Sequence, residues 1–110
     1  MDISQALGAL AALAHETRLE VFRLLVKAGP TGVPAGEIAD ALGVRQNTMS
    51  SHLAILTRAG LTTKVRAGRV ITYRADYEGM RELLLYLLED CCHGDREICS
   101  PIVEAMACAC

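Results

Sequence analysis

The chain has no cysteine before residue 91, although its 110 residues hold five. A disulfide framework in an exported domain spreads its cysteines through the fold, so an odd number gathered at one end points to metal or redox chemistry instead. No apolar run approaches the roughly 20 residues that a membrane helix needs. No Lys or Arg precedes Arg18, and Asp2 makes the flank of the Ala/Leu-rich start (Ala6 to Ala14) acidic, unlike a secretory signal. A cytoplasmic protein with no membrane partner is expected. There is no activated nucleophile, phosphate-binding loop or paired acid and base, and three scattered histidines do not assemble one. An enzyme is therefore not expected. Internal repeats and low-complexity segments are also absent.

One absence concerns charge. Between Asp40 and Asp76 lie thirty-five residues without Asp or Glu, while Arg45, Arg58, Lys64, Arg66, Arg69 and Arg74 give that window +6. The whole chain carries −2, which leaves −8 on the remainder from five basic and thirteen acidic residues. A cationic face on an acidic body is the electrostatic footprint that nucleic-acid phosphates require. A purely metal-sequestering role would leave this window unexplained.

What is present reads as one compact, mainly helical domain with a β-hairpin. Hydrophobic residues make up 52% of the chain, a slight excess that fits an additional buried surface such as a subunit contact. Ile3, Leu7, Leu10 and Ala14 recur at helical spacing and predict a first helix over about 3–13. A second follows with Leu19, Phe22, Leu25 and Val26 on one stripe, ended by Gly29-Pro30. Residues 29–34 hold two glycines and two prolines and are expected to be a loop. A short third helix over about 35–42 ends at Gly43, and a fourth over about 46–58 buries Met49, Leu53 and Leu56. A short and a longer helix joined across a glycine turn make a helix-turn-helix.

The apolar period then changes from that of a helix to that of a strand. Leu61 to Arg66 and Arg69 to Arg74 alternate around Ala67-Gly68, with Ile71 and Tyr73 facing inward, and form a basic hairpin or wing. Asp76 is placed to cap a fifth helix reaching about Cys92, and Ser100-Pro101 is a candidate start for a short sixth. The expected order is thus four helices, two strands and a fifth helix. Residues 1–92 form the DNA-binding and dimerisation domain, and 93–110 a cysteine-containing tail. The fifth helix is apolar in every direction at Leu83-Leu84-Leu85-Tyr86-Leu87-Leu88, so one face is assigned to the domain and the other to a second copy.

In a helix-turn-helix the second helix enters the major groove and its first residues meet base edges. Here these are Arg45, Gln46, Asn47, Thr48, Ser50 and Ser51, residue types that suit guanine, adenine or phosphate. Lys64, Arg66 and Arg69 of the hairpin are assigned to the DNA backbone or minor groove, with edge protection as an additional role. His52, beside the buried Leu53, reads as structural or phosphate-touching.

The segments HETRLEVFRLL, LGVRQNTMSSHLAILTRAGL and RAGRVITYRA resemble the bacterial ArsR/SmtB family of metal-responsive repressors, over about residues 7–90. The resemblance implies a winged helix-turn-helix homodimer paired through its first and last long helices, here through Leu7, Leu10, Leu84, Leu87 and Leu88. It also implies a double-stranded operator with two half-sites, released when an inducer binds. Arg45 stands where such proteins often carry a Ser or Asp cap.

Several inducer sites of that family lack their ligands here. The third-helix stretch VPAGEIAD has no cysteine, the second helix has none, and the fifth offers only Glu82, Glu89, Asp90 and His93 to a zinc-type site. What remains is Cys91-Cys92-His93-Gly94 followed by Cys99. Soft thiolates select thiophilic ions, and three sulfurs suit trivalent arsenic, with antimony as a close analogue. Zinc or cadmium would recruit His93 as a fourth ligand. The cluster resembles that of family members that bind arsenite through a vicinal Cys pair and a later Cys. Placed in the last turn of a helix, such thiols would be mostly protonated, coupling binding to proton release. A metal-free thiol redox switch would use the same cysteines. Cys108 and Cys110 read either as a frayed end or as an auxiliary pair.

Overall fold

The computed structural model describes residues 1–89, 97, 100–102 and 104–105. Five helices and three strands are named within residues 3–88. Helix α1 (Ile3–Leu13) starts at a capping box: the Asp2 carboxylate accepts from the Gln5 N–H at 2.8 Å, and the Asp2 N–H donates to Gln5 Oε1 at 2.9 Å. Its buried face is the small one, Ala6, Ala9 and Ala12, which lets the helix approach its neighbours closely. Its large residues Ile3, Leu7 and Leu10 point outward.

Helix α2 (Glu16–Ala28) buries Val21, Phe22 and Leu25. Leu19, expected on the inner stripe, is exposed, because the stripe is rotated toward Val21. Arg18 fastens the first two helices together. Its Nε donates to the Ala12 carbonyl at 2.6 Å and its Nη2 to that of Ala11 at 3.4 Å, satisfying carbonyls at the end of α1.

The expected loop contains a strand. Val33–Pro34 forms β1, with Val33 opposite Tyr73 and Pro34 opposite Thr72. Proline lacks an N–H to donate, and an edge position of the sheet tolerates that. With β2 (Thr62–Ala67) and β3 (Val70–Ala75) it makes a three-stranded antiparallel sheet in the order β1-β3-β2. The element order therefore gains a strand ahead of the helix-turn-helix. Register Ala67 opposite Val70 makes Gly68-Arg69 the hairpin turn, so Arg69 sits at the tip and not in the strand. Tyr73 is buried as expected, whereas Ile71 is half-buried.

Helix α3 (Ala35–Leu42) buries Ile38 and Ala39 and closes at Gly43, whose φ of 64° and ψ of 35° are left-handed and favour glycine. Helix α4 (Gln46–Arg58) buries Met49, Leu53 and Leu56 as expected. Helix α5 (Tyr77–Leu88) is capped by Asp76, whose carboxylate accepts from the Gly79 N–H at 3.0 Å. It ends at Leu88 with Glu89 at the C-cap, and the rest of the expected stretch to Cys92 lies outside the described residues. Cys91 and Cys92, expected in its last turn, are among them. Glu97, residues 100–102, Glu104 and Ala105 are helical. Ser100 is itself helical and does not act as the expected cap.

Candidate nucleic-acid interface

Three buried side chains seat α4: Met49, Leu53 and Leu56 are at most 1% exposed. At helical spacing this turns Gln46, Asn47, Thr48, Ser50 and Ser51 outward, and all five are exposed. No acidic residue occupies the first turn, and Arg45 stands at the cap position without a side-chain cap bond. The positive end of the helix dipole is therefore unneutralised and favours anions. Asn47 Oδ1 accepts from the Thr48 N–H at 2.8 Å, which leaves its amide N–H groups facing out. Ser50 Oγ donates to the Gln46 carbonyl at 2.9 Å and Ser51 Oγ to that of Asn47 at 3.4 Å. With their protons engaged, both hydroxyls offer lone pairs outward.

The wing supplies the cations. Lys64, Arg66, Arg69 and Arg74 are exposed. Arg66 Nε donates to the Gly68 carbonyl at 3.1 Å and so folds over the turn, while Arg74 Nε donates to Thr63 Oγ1 at 3.1 Å. Arg69 at the tip and Gln46 at the start of α4 line one open cleft of about 580 Å³, together with Glu37 and Asp40 of α3. The start of the outward helix and the wing thus share a face. Among the described residues the only ion pair is Arg81–Glu78, at 3.4 Å, so none of the six cations in the acid-free window is neutralised by another described residue.

His52 is structural in this arrangement. Its ring lies 4.7 Å from that of His15, tilted by 48°, while His15 Nδ1 caps α2 by accepting from the Thr17 N–H at 3.2 Å. His52 Nδ1 is buried and has no hydrogen-bond partner among the described residues. Burial, with the nearby His15 and Arg18, pushes the His52 pKa below its ordinary value. No local pattern announced the contact, because it joins segments far apart in the chain. The unfolded chain takes up this proton near the ordinary imidazole value of about 6.5, and the folded chain only at lower pH. Stability is therefore full above that pH and falls as the pH drops below it. The urea midpoint is expected to decline from pH 7 toward pH 5.5, and His52→Gln to flatten that decline; equal slopes would remove the effect from His52.

The expected dimer residues are all exposed on α1 and α5, two helices that pack against each other. Leu7 is 60% exposed, Leu10 39%, Leu84 38%, Leu87 50% and Leu88 40%. Leu83 faces inward. Cys91, Cys92 and Cys99 lie outside the described residues, as do His93, Cys108 and Cys110. Among the described residues, no three His, Cys, Asp or Glu side chains group as a metal site, and no helix is long and apolar enough to cross a membrane.

Comparison with known proteins agrees with this geometry. A helix-turn-helix domain family matches residues 13–65. Over 88 residues the chain is 32% identical to the uncharacterized HTH-type transcriptional regulator YbzH of Bacillus subtilis, covering 69% of this chain and 88% of that protein. An ArsR-like transcriptional regulator from Rhodococcus sp. RHA1 superposes with a TM-score of 0.70 at 29% identity, over 88% of this chain and 89% of that one. The chain belongs to the ArsR family of winged-helix transcriptional regulators. A further relative of this ArsR-family regulator is a homodimeric winged helix-turn-helix DNA-binding domain, Mb0332 of Mycobacterium bovis. It shares 29% identity and a TM-score of 0.65, over 78% of each chain. Helix-turn-helix transcriptional regulators are a non-enzyme family, and the chain is one of them.

Proposed function

We propose that the chain is a homodimeric repressor that grips two operator half-sites and lets go when trivalent arsenic binds Cys91, Cys92 and Cys99. The observation that carries the DNA half is that the start of α4 and the tip of the wing share a face, and that the wing cations Lys64, Arg66, Arg69 and Arg74 form no ion pair with any other described residue. Arg45, Gln46, Asn47, Thr48, Ser50 and Ser51 read base edges, while Lys64, Arg66 and Arg69 hold the backbone or minor groove. Two copies joined through Leu7, Leu10, Leu84, Leu87 and Leu88 set the recognition helices about 34 Å apart, one helical turn of DNA.

The inducer half rests on donor chemistry. Three thiols suffice for a thiophilic trivalent ion, whereas tetrahedral zinc would need a fourth ligand, for which His93 is the nearest candidate. Such an ion supplies a centre that draws three sulfurs together. The chain's own contribution is the route to α4. Cys91 follows closely on α5, and the first turn of α5 abuts the exit of α4, where the Asp76 N–H donates to the Leu61 carbonyl at 2.9 Å. A displaced α5 therefore pulls on the segment that closes the recognition helix, and it also changes the spacing of the two half-sites.

The test is a release titration of the fully reduced protein from its operator with arsenite, antimonite, zinc, cadmium and peroxide. Arsenite is expected to release the wild type, and Cys91→Ser or Cys99→Ser to require about a hundredfold more, because losing a ligand costs at least the roughly 10–100-fold that losing an outer-shell partner does. Unchanged arsenite release in both variants would sink the assignment, and release by peroxide alone would make the cysteines a redox switch.

A further inference from the structure

The outer face of α2 carries a pattern that neither the DNA interface nor the α1–α5 surface uses. Glu16, Leu19, Glu20, Arg23, Leu24 and Lys27 line an open groove of about 500 Å³, closed on one side by Leu42 at the end of α3. The four charged residues and Leu19 are exposed. Their signs are segregated, with two acids in the N-terminal half and two bases in the C-terminal half. Glu16 with Glu20, and Arg23 with Lys27, are like charges four apart, an arrangement that disfavours the helix itself. The macrodipole favours these signs at Glu16 and Lys27, in the first and last turns, but its effect does not extend to Glu20 and Arg23 in the middle. Those two, three residues apart, form no ion pair with each other.

We propose that this face is a self-complementary contact on which a second copy docks with its α2 antiparallel, Glu16 opposite Lys27 and Glu20 opposite Arg23. A two-fold axis passing between positions 21 and 22 produces both pairings at once, and their mirror pairs by symmetry. At 100° per residue the four charges form a central row. The two copies of Leu19 flank it on one side, and Leu24 with Leu42 on the other. What disfavours the isolated helix thus becomes complementary between copies. The groove includes no residue of α1, α4, α5 or the wing, so the contact adds to α1–α5 pairing and joins dimers into a dimer of dimers. One helix pair with a charged centre is a small interface, weak in free solution and sensitive to salt. Two dimers on neighbouring DNA sites meet at a high effective concentration, where a weak contact suffices to link them.

Sedimentation velocity of the full chain, across a concentration series and at two salt levels, tests this. A species larger than the α1–α5 dimer is expected to grow with concentration, and its association to weaken about tenfold or more when salt rises toward 1 M, where screening is nearly complete. Glu20→Arg and Arg23→Glu are each expected to weaken it about tenfold or more by setting like charges opposite one another. An equimolar mixture of the two variants restores association, and so does the double variant. The mixture keeps the test decisive even if one substitution disturbs α2, because complementarity returns only between unlike copies. The proposal is overturned if the single variants associate like wild type, if neither the mixture nor the double variant recovers, or if the wild type stays at its α1–α5 state up to about 1 mM, a contact too weak to matter. Dissociation below that state would instead count against the α1–α5 pairing, which is apolar and insensitive to these charges.

Discussion

Leu87→Glu is expected to turn the proposed dimer into monomers and to cut operator affinity at least a hundredfold. Leu87 is 50% exposed in the single chain, and Leu7, Leu10, Leu84 and Leu88 of the proposed interface are exposed too. Covering a leucine stabilises by about 1.5–3 kcal/mol, and an unpaired carboxylate in its place adds a further penalty. A two-fold interface presents every substitution twice, so the dimer dissociation constant should rise about a thousandfold, or roughly 4 kcal/mol. A monomer can engage only one half-site, which removes the linkage gain of the second. Sedimentation equilibrium gives the subunit state and fluorescence anisotropy the affinity. Retention of the dimer by the variant would move the subunit contact away from α5.

The second large effect concerns Gly79, in the first turn of α5. A Cβ built there would overlap the Gly60 carbonyl just beyond α4, so backbone meets backbone with no flexible side chain to give way. Gly79→Ala must push α5 away from α4, straining the cap made by Asp76 and the bond from the Asp76 N–H to the Leu61 carbonyl. Overpacking of this kind costs about 1–3 kcal/mol. At about 4–8 °C per kcal/mol for a domain near 100 residues, Tm should fall by about 10 °C. Gly36→Ala is the control, because its Cβ meets only the end of the Gln46 side chain, at 3.6 Å. Helix propensity should make that variant neutral or more stable by up to about 1 kcal/mol. Equal melting temperatures for the two variants would show that α5 is not seated against α4 as described.

The long periodic elements were legible because their burial is local in cause. Met49, Leu53 and Leu56 fall on one stripe that only a helix makes, and the alternation around Gly68 fits only a hairpin. Other features depend on partners distant in the chain. Val33–Pro34 is too short to show a period, and it is a strand only because Tyr73 and Thr72 lie beside it. In α2 the apolar positions are broad enough to allow two phases, and packing against the rest of the core selected Val21 over Leu19. In α1 the conspicuous Leu7 and Leu10 face out, while the alanines pack inward. The outward row of α4 was readable from residue type alone. Its hydrogen-bond polarity was not, because that depends on the atoms committed to the backbone, a donated proton for each serine and the accepting Oδ1 for Asn47. The cysteines were legible as chemistry, and their geometry lies outside the described residues.

The division of labour within α4 bears on how such proteins diversify. Met49, Leu53 and Leu56 hold the helix in place, whereas Gln46, Asn47, Thr48, Ser50 and Ser51 bury nothing in the core. Codons of the second group can drift among helix-compatible residues at little cost in folding. With that row reading bases as proposed, duplicated copies of the gene can acquire new genomic addresses while inheriting an unaltered scaffold.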